Sequence, residues 1–175
     1  MEVAESEQKW INVLPPSTNE SLKHFTYIDD KTIRYWLKAI KWIWDWPINA
    51  LILERKANWK FENLQEFIKR CPRDVINKKT LEWLALSGWM DEFGERWQIF
   101  KNIENLIRFS KQEEKASTTM QMWLFDNSSD DNSFKLAPTP AFTFEEMLDG
   151  EKLVIGQSIS GHALDWLGIK KKKRS

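Results

Sequence analysis

At 175 residues, 42% hydrophobic and 30% charged, the chain has the size and composition of one soluble globular domain. Twenty-six Lys/Arg balance 26 Asp/Glu, and no apolar run approaches the roughly 20 residues a bilayer span needs. The polar, acidic start from Met1 to Lys9 is not a signal peptide, so a cytoplasmic protein with no membrane partner is expected, and the lone Cys71 rules out an internal disulfide.

Along the chain, Phe25, Tyr27, Ile33 and Tyr35 alternate around Asp29-Asp30-Lys31 and predict a short β-hairpin. Leu37 to Lys41 predicts a short helix. Pro47 to Ala57 predicts a second, with proline in its first turn and Ile48, Leu51 and Ile52 on one face. Between them Trp42-Ile43-Trp44-Asp45 forms the turn of a helix, hairpin, helix unit. Asn63 to Glu66 starts a helix ending at Cys71-Pro72, and Asn77 caps another that Gly88 stops. Ile99, Phe100, Ile103, Leu106 and Ile107 predict one long helix from about Glu95 to Lys115, and Phe144 to Leu148 is helical again. Residues 116–150 carry one Lys against six Asp/Glu and include Ser/Asn-rich and Pro-containing stretches. That composition predicts a linker after a folded body of about 115 residues.

Eleven tryptophans stand beside six glycines, and many fall in turns, where glycine is expected because it takes positive φ without steric cost. Their placement predicts that several of these letters stand where relatives of the chain carry glycine, as a reassigned stop codon read as glycine would produce. With glycine at 42 and 44, the backbone N–H groups entering the second helix could cradle a phosphate; with tryptophan the approach is blocked. An ordinary helical turn with core tryptophans is the competing reading. Gln121-Met122-Trp123-Leu124-Phe125 could insert two apolar anchors into a partner pocket, or pack back on its own helix. His24 and His162 have no metal-ligand spacing and no carboxylate pair suggests phosphoryl transfer, so no catalytic group, metal or cofactor is expected. Lys170 to Arg174 reads first as a solvated tail.

Taken in order, Ile11 to Pro16, Asn19-Glu20-Ser21, Ile33 to Lys41, Phe61, Leu64, Phe67, Asn77-Lys78, Leu81-Glu82, Ser87-Gly88, Asp91 to Gly94 with Arg96, and Ser160 to Asp165 resemble bacterial replicative DNA polymerase III alpha subunits, from the end of the fingers through the helix-hairpin-helix domain. The resemblance covers roughly residues 8–165. It implies a mainly α fold: a helix-hairpin-helix domain with a short N-terminal β-hairpin and a disordered linker. The implied units are 1–24 (end of fingers), 25–115 (DNA-binding domain), 116–142 (linker with clamp motif) and 143–175 (leading to a further domain). It implies double-stranded DNA as partner of Lys38, Lys41, Trp42, Ile43, Trp44 and Asp45, and the sliding clamp as partner of Gln121, Met122, Trp123, Leu124 and Phe125, alongside other replicase subunits. The polymerase palm and its aspartates have no counterpart, so the resemblance implies a fragment that does not polymerise. At Trp10, Trp36, Trp42, Trp44 and Trp59 the family pattern has glycine; at Trp46, Trp89, Trp123 and Trp166 glycine or a small residue fits; Trp83 and Trp97 are unassigned. A Trp-rich protein-interaction module and a single-strand binder that stacks bases on Trp are the alternatives.

Overall fold

The computed structural model describes residues 11–118 and 134–161. Three short strands, β1 (Asn12–Leu14), β2 (Thr26–Asp29) and β3 (Thr32–Arg34), form a sheet in the order β1-β3-β2. The expected hairpin is β2–β3, antiparallel with Tyr27 opposite Ile33 and an irregularity before Asp29. Its turn is closed by the Asp29 carboxylate, which accepts from the Lys31 backbone N–H at 2.9 Å. Strand β1, absent from the sequence expectation, pairs parallel with β3 through Val13 and Ile33.

A 3-10 turn at Leu37–Ala39 leads to helix α1 (Asp45–Asn58), which begins two residues earlier than its proline suggests. Helices α2 (Leu64–Arg70) and α3 (Lys78–Leu86) start where their asparagines predict. Asn63 accepts from the Glu66 N–H and Asn77 from the Thr80 N–H, each at 2.9 Å, satisfying donors that have no intrahelical partner.

The long helix expected from Glu95 to Lys115 is instead two, α4 (Arg96–Lys101) and α5 (Ile103–Thr118). They break at Asn102, whose φ of −99° and ψ of 7° leave the helical well. The cause is a side-chain joint. The Asn102 amide donates to the Ala137 carbonyl at 3.0 Å and accepts from the Ala137 N–H at 3.1 Å. The apolar spacing runs through this break unchanged, so periodicity could not reveal it.

Residues 134–142 are irregular yet anchored: the Phe134 ring lies 5.4 Å from Phe109 and Phe142 lies 5.7 Å from Phe100. Composition predicted a disordered linker to 142; Phe134, Leu136 and Phe142 supply the apolar contacts that hold this part. Helix α6 (Phe144–Ile155) follows, opened by a Thr143–Glu146 capping box, and runs seven residues past the predicted Leu148. Its Val154 and Ile155 join Leu37, Ile40, Leu51, Phe67, Leu84 and Leu106 in the same core. The region beyond the linker therefore shares one hydrophobic cluster with the body before it.

The N-terminal loop is tied to this core by polar contacts. Asn19 exchanges two hydrogen bonds with the Phe61 backbone, at 2.9 and 2.8 Å. Arg55 reaches back from α1 to the carbonyls of Thr18 and Ser21, at 2.8 and 2.9 Å.

Candidate nucleic-acid interface

The turn before α1 is built from both sides. Ile40 is buried, Ile43 packs on the core, and the Lys41 backbone N–H donates to the Val154 carbonyl of α6 at 2.7 Å. Between them Trp42 takes φ of 68°, in the left-handed region, with 73% of its surface exposed. A bulky residue is a clear outlier there, because its Cβ crowds the following carbonyl. Trp44 caps α1 through an extended backbone and is 81% exposed. The first N–H groups of α1 lack intrahelical acceptors and carry the positive end of its dipole.

The charges here are mostly committed. Asp45 accepts a hydrogen bond from Lys23 at 2.9 Å and pairs with Lys38 at 3.3 Å. The hydrogen bond from Lys23, helped by Lys38, holds the Asp45 carboxyl below its ordinary value. The Lys41 side chain turns away from the hairpin mouth and lies across Gly156, where a methyl group would meet its Nζ at 3.2 Å. Of the residues the sequence assigned to this site, Lys38 and Asp45 are brought together, Trp42 and Trp44 line the opening, Ile43 supports it from inside, and Lys41 faces α6.

Sequence reasoning missed Lys79. It projects from the first turn of α3 into a groove of about 430 Å³ lined by Trp42, Trp44, Trp46, Asn77 and Trp83. Its Nζ sits 5.9 Å from the Trp42 ring centroid and 5.5 Å from that of Trp83, with no carboxylate partner recorded among the described residues. The available signal was Lys78-Lys79 at a helix N-terminus, where a cation opposes the helix dipole. Lys78 is answered by Glu104 at 2.8 Å; Lys79 lies over two aromatic faces.

The other tryptophans divide by environment. Trp59 ends α1 at φ of 67° and is 84% exposed. Trp36 stacks on Tyr35 at 4.5 Å with an extended backbone, and nothing there demands glycine. Trp89 is 1% exposed against Phe67, though its indole N–H has no partner. Gln121 to Phe125, His162, Lys170 to Arg174, Trp10, Trp123 and Trp166 lie outside the described residues. Burial pushes the Cys71 thiol far above the usual thiol range, which removes it as a nucleophile at neutral pH. Among the described residues no three His, Cys, Asp or Glu groups cluster as metal ligands, and no helix is long and apolar enough to cross a membrane.

The helix-hairpin-helix motif family matches residues 10–99. Among curated proteins the chain is similar to the DNA polymerase III subunit alpha of Borreliella burgdorferi, 33% identical over 168 residues, covering 93% of this chain and 15% of that protein. It is similar to the subunit of the same name from Haemophilus influenzae, 32% identical over 156 residues and covering 87% of this chain and 14% of the relative. That of Thermus aquaticus is 31% identical over 152 residues, covering 87% of this chain and 12% of the relative. The chain thus spans a small part of the length of the relatives it matches.

Proposed function

Since the chain belongs to the helix-hairpin-helix family and aligns with a segment of DNA polymerase III alpha subunits, we propose that it serves DNA replication in the bacterial cytoplasm by holding duplex DNA through backbone contacts at residues 41–45. The observation that carries this reading is a tight turn with a left-handed residue at 42 delivering the free N–H groups of α1 to an open surface. Such a terminus binds phosphate without reading sequence. Lys38 and Lys79 flank the opening, and Lys79 is the one without an ionic partner in this set. In this reading the residues at 42 and 44 are glycine in the working protein, so that a phosphate can approach the amides without meeting an indole.

Titration of a labelled duplex at low salt tests it. The chain carrying Trp42→Gly and Trp44→Gly should bind about tenfold tighter than the Trp chain, or roughly 1.4 kcal/mol. Adding Lys79→Ala should weaken binding to all sequences alike and flatten the slope of log K against log salt by about one. Equal affinity of the Gly and Trp chains sinks the hairpin assignment.

The same function includes attachment to the sliding clamp through Gln121 to Phe125, supported by the motif and its position after α5. Capture of the clamp by the full chain should be lost with Phe125→Ala and kept with Trp42→Ala. Catalysis is no part of the proposal.

One observation favours a second reading: Trp42, Trp44 and Trp46 are all exposed around a lysine. Aromatic faces beside a cation suit single-stranded nucleic acid or a protein partner. In that case the Trp chain quenches its fluorescence on an oligonucleotide, or captures a protein other than the clamp, and loses that binding with Trp42→Ala.

A further inference from the structure

The contacts of Lys41 lead away from the opening and toward a part of the chain that the family match, which stops at residue 99, does not reach. Four features converge at the C-terminal turn of α6. The Val154 carbonyl accepts from the Lys41 backbone N–H at 2.7 Å, one residue before the left-handed position. Gly156 closes α6 in the left-handed conformation, φ 97°, and its bare Cα leaves the space that the Lys41 side chain occupies. An ammonium crossing the end of α6 also lies at the negative end of that helix's dipole. The Gln157 amide donates to the Tyr35 hydroxyl at 2.6 Å, and Tyr35 is buried and edge-on to Phe25 in the strand exit that leads to the hairpin.

The same helix is itself fixed one turn earlier, on the buried face that carries Val154 and Ile155. Glu151, 1% exposed, pairs with Arg96 at 2.8 Å and accepts from the backbone N–H groups of Ile159 and Ser160 at 2.7 and 2.9 Å. Val154 and Ile155 are in the core beside Leu37 and Ile40. The turn at 154–157 is therefore a rigid stop against which the hairpin's first residue is seated from two directions, its own N–H and the tyrosine six residues upstream.

We infer that the C-terminal turn of α6, Val154 to Gln157, is the positioning element of the duplex-gripping hairpin, with Gln157 and Gly156 acting on the DNA contact through Tyr35 and Lys41. Lys41 is thus a positioning residue rather than a phosphate ligand. This rests on the duplex-binding reading above. Seating matters because a hairpin held in its bound geometry need not be ordered when DNA arrives, and preorganisation of that kind raises affinity without adding a contact. The part of the chain beyond residue 142 is then a working part of the grip, and strain applied to Ile159–Gly161 would be felt at residue 41 through Glu151 and α6.

The test uses the full chain with glycine at 42 and 44, and two substitutions at one position. Gln157→Ala removes the donor to Tyr35; Gln157→Glu lets the hydroxyl donate in the opposite direction and serves as rescue. Amide hydrogen exchange is read first, without DNA. Gln157→Ala should speed exchange at Lys41 about tenfold by local opening, leave the buried Leu81 and Leu84 amides unchanged, and Gln157→Glu should restore most of the protection. Duplex titration follows. Gln157→Ala should weaken binding several-fold while leaving the slope of log K against log salt unchanged, because a looser seat costs ordering and removes no phosphate contact. Unaltered Lys41 exchange overturns the inference, as does a parallel rise at Leu81, which marks general destabilisation. Faster Lys41 exchange with unchanged duplex affinity also overturns it. If the parent chain fails to bind duplex at low salt, it is the duplex reading that falls, and the exchange result still reports whether α6 seats the hairpin.

Discussion

Glu151→Ala is expected to lower the unfolding free energy by about 3–5 kcal/mol, the loss typical of removing one member of a buried ion pair. Arg96 and Glu151 are 6% and 1% exposed, so neither charge can fall back on water when its partner goes. Arg96 divides its fork: Nε and Nη2 go to Asp91 at 3.1 and 2.6 Å, and Nη1 goes to Glu151 at 2.8 Å. Glu151 also accepts from Ser160 Oγ and from two backbone N–H groups. Alanine would strand Arg96 Nη1 and the Ile159 and Ser160 donors at once, while Arg96 Nε and Nη2 keep Asp91. The guanidinium fills the space beside Gly88 that a Cβ there would take. Urea unfolding measures the effect. Glu151→Gln, which keeps the shape and one acceptor, should lose less, and a loss below about 1 kcal/mol for alanine would mean that the site collapses and repacks.

The tryptophans give the second prediction, in which three substitutions of one residue type have opposite signs. Trp59→Gly and Trp42→Gly should each stabilise the fold by about 1 kcal/mol, since each relieves a left-handed backbone and removes a side chain that is 84% or 73% exposed. Each should raise Tm by about 2–4 °C. The gain is limited because glycine loses more conformational freedom on folding. Trp89→Ala should instead cost about 3 kcal/mol. Its ring is buried 5.7 Å from Phe67, and only the relief of its unpartnered indole N–H offsets the cavity. Peptide mass spectrometry of the native protein complements these melts: glycine at 42 and 59 is the expected finding, and tryptophan at both would end the recoding proposal. A melt in which Trp59→Gly destabilises would count equally against it.

These contrasts separate what was readable in the sequence from what was not. Helix starts at Asn63 and Asn77 were legible because capping is local chemistry. The β2–β3 hairpin was legible from alternation around an Asp-Asp-Lys turn. Trp42 and Trp59 looked out of place as letters, and the backbone gives the reason. Contacts between distant segments left no local trace. Strand β1 is three residues long and depends on β3 for its existence. The break at Asn102 depends on Ala137, and Glu151, beyond the helix predicted to Leu148, is buried. At the candidate site, sequence found the turn and its flanking lysines, but not that Lys41 is turned to α6 or that Lys79 arrives from another helix.

The two asparagine joints bear on how this protein ages. Asn102 and Asn19 each use a carboxamide as a stand-in for a backbone strand, donating with one atom and accepting with the other, to Ala137 and to Phe61. Hydrolytic loss of ammonia from either side chain would leave the accepting oxygen in place. The donor, however, would become a second carboxylate oxygen facing a carbonyl. A chemical change of one mass unit would thus turn an attachment into a repulsion. One such joint ties the N-terminal loop to the body, the other the strap before α6, so an old molecule should come apart first at these two seams rather than in its hydrophobic centre.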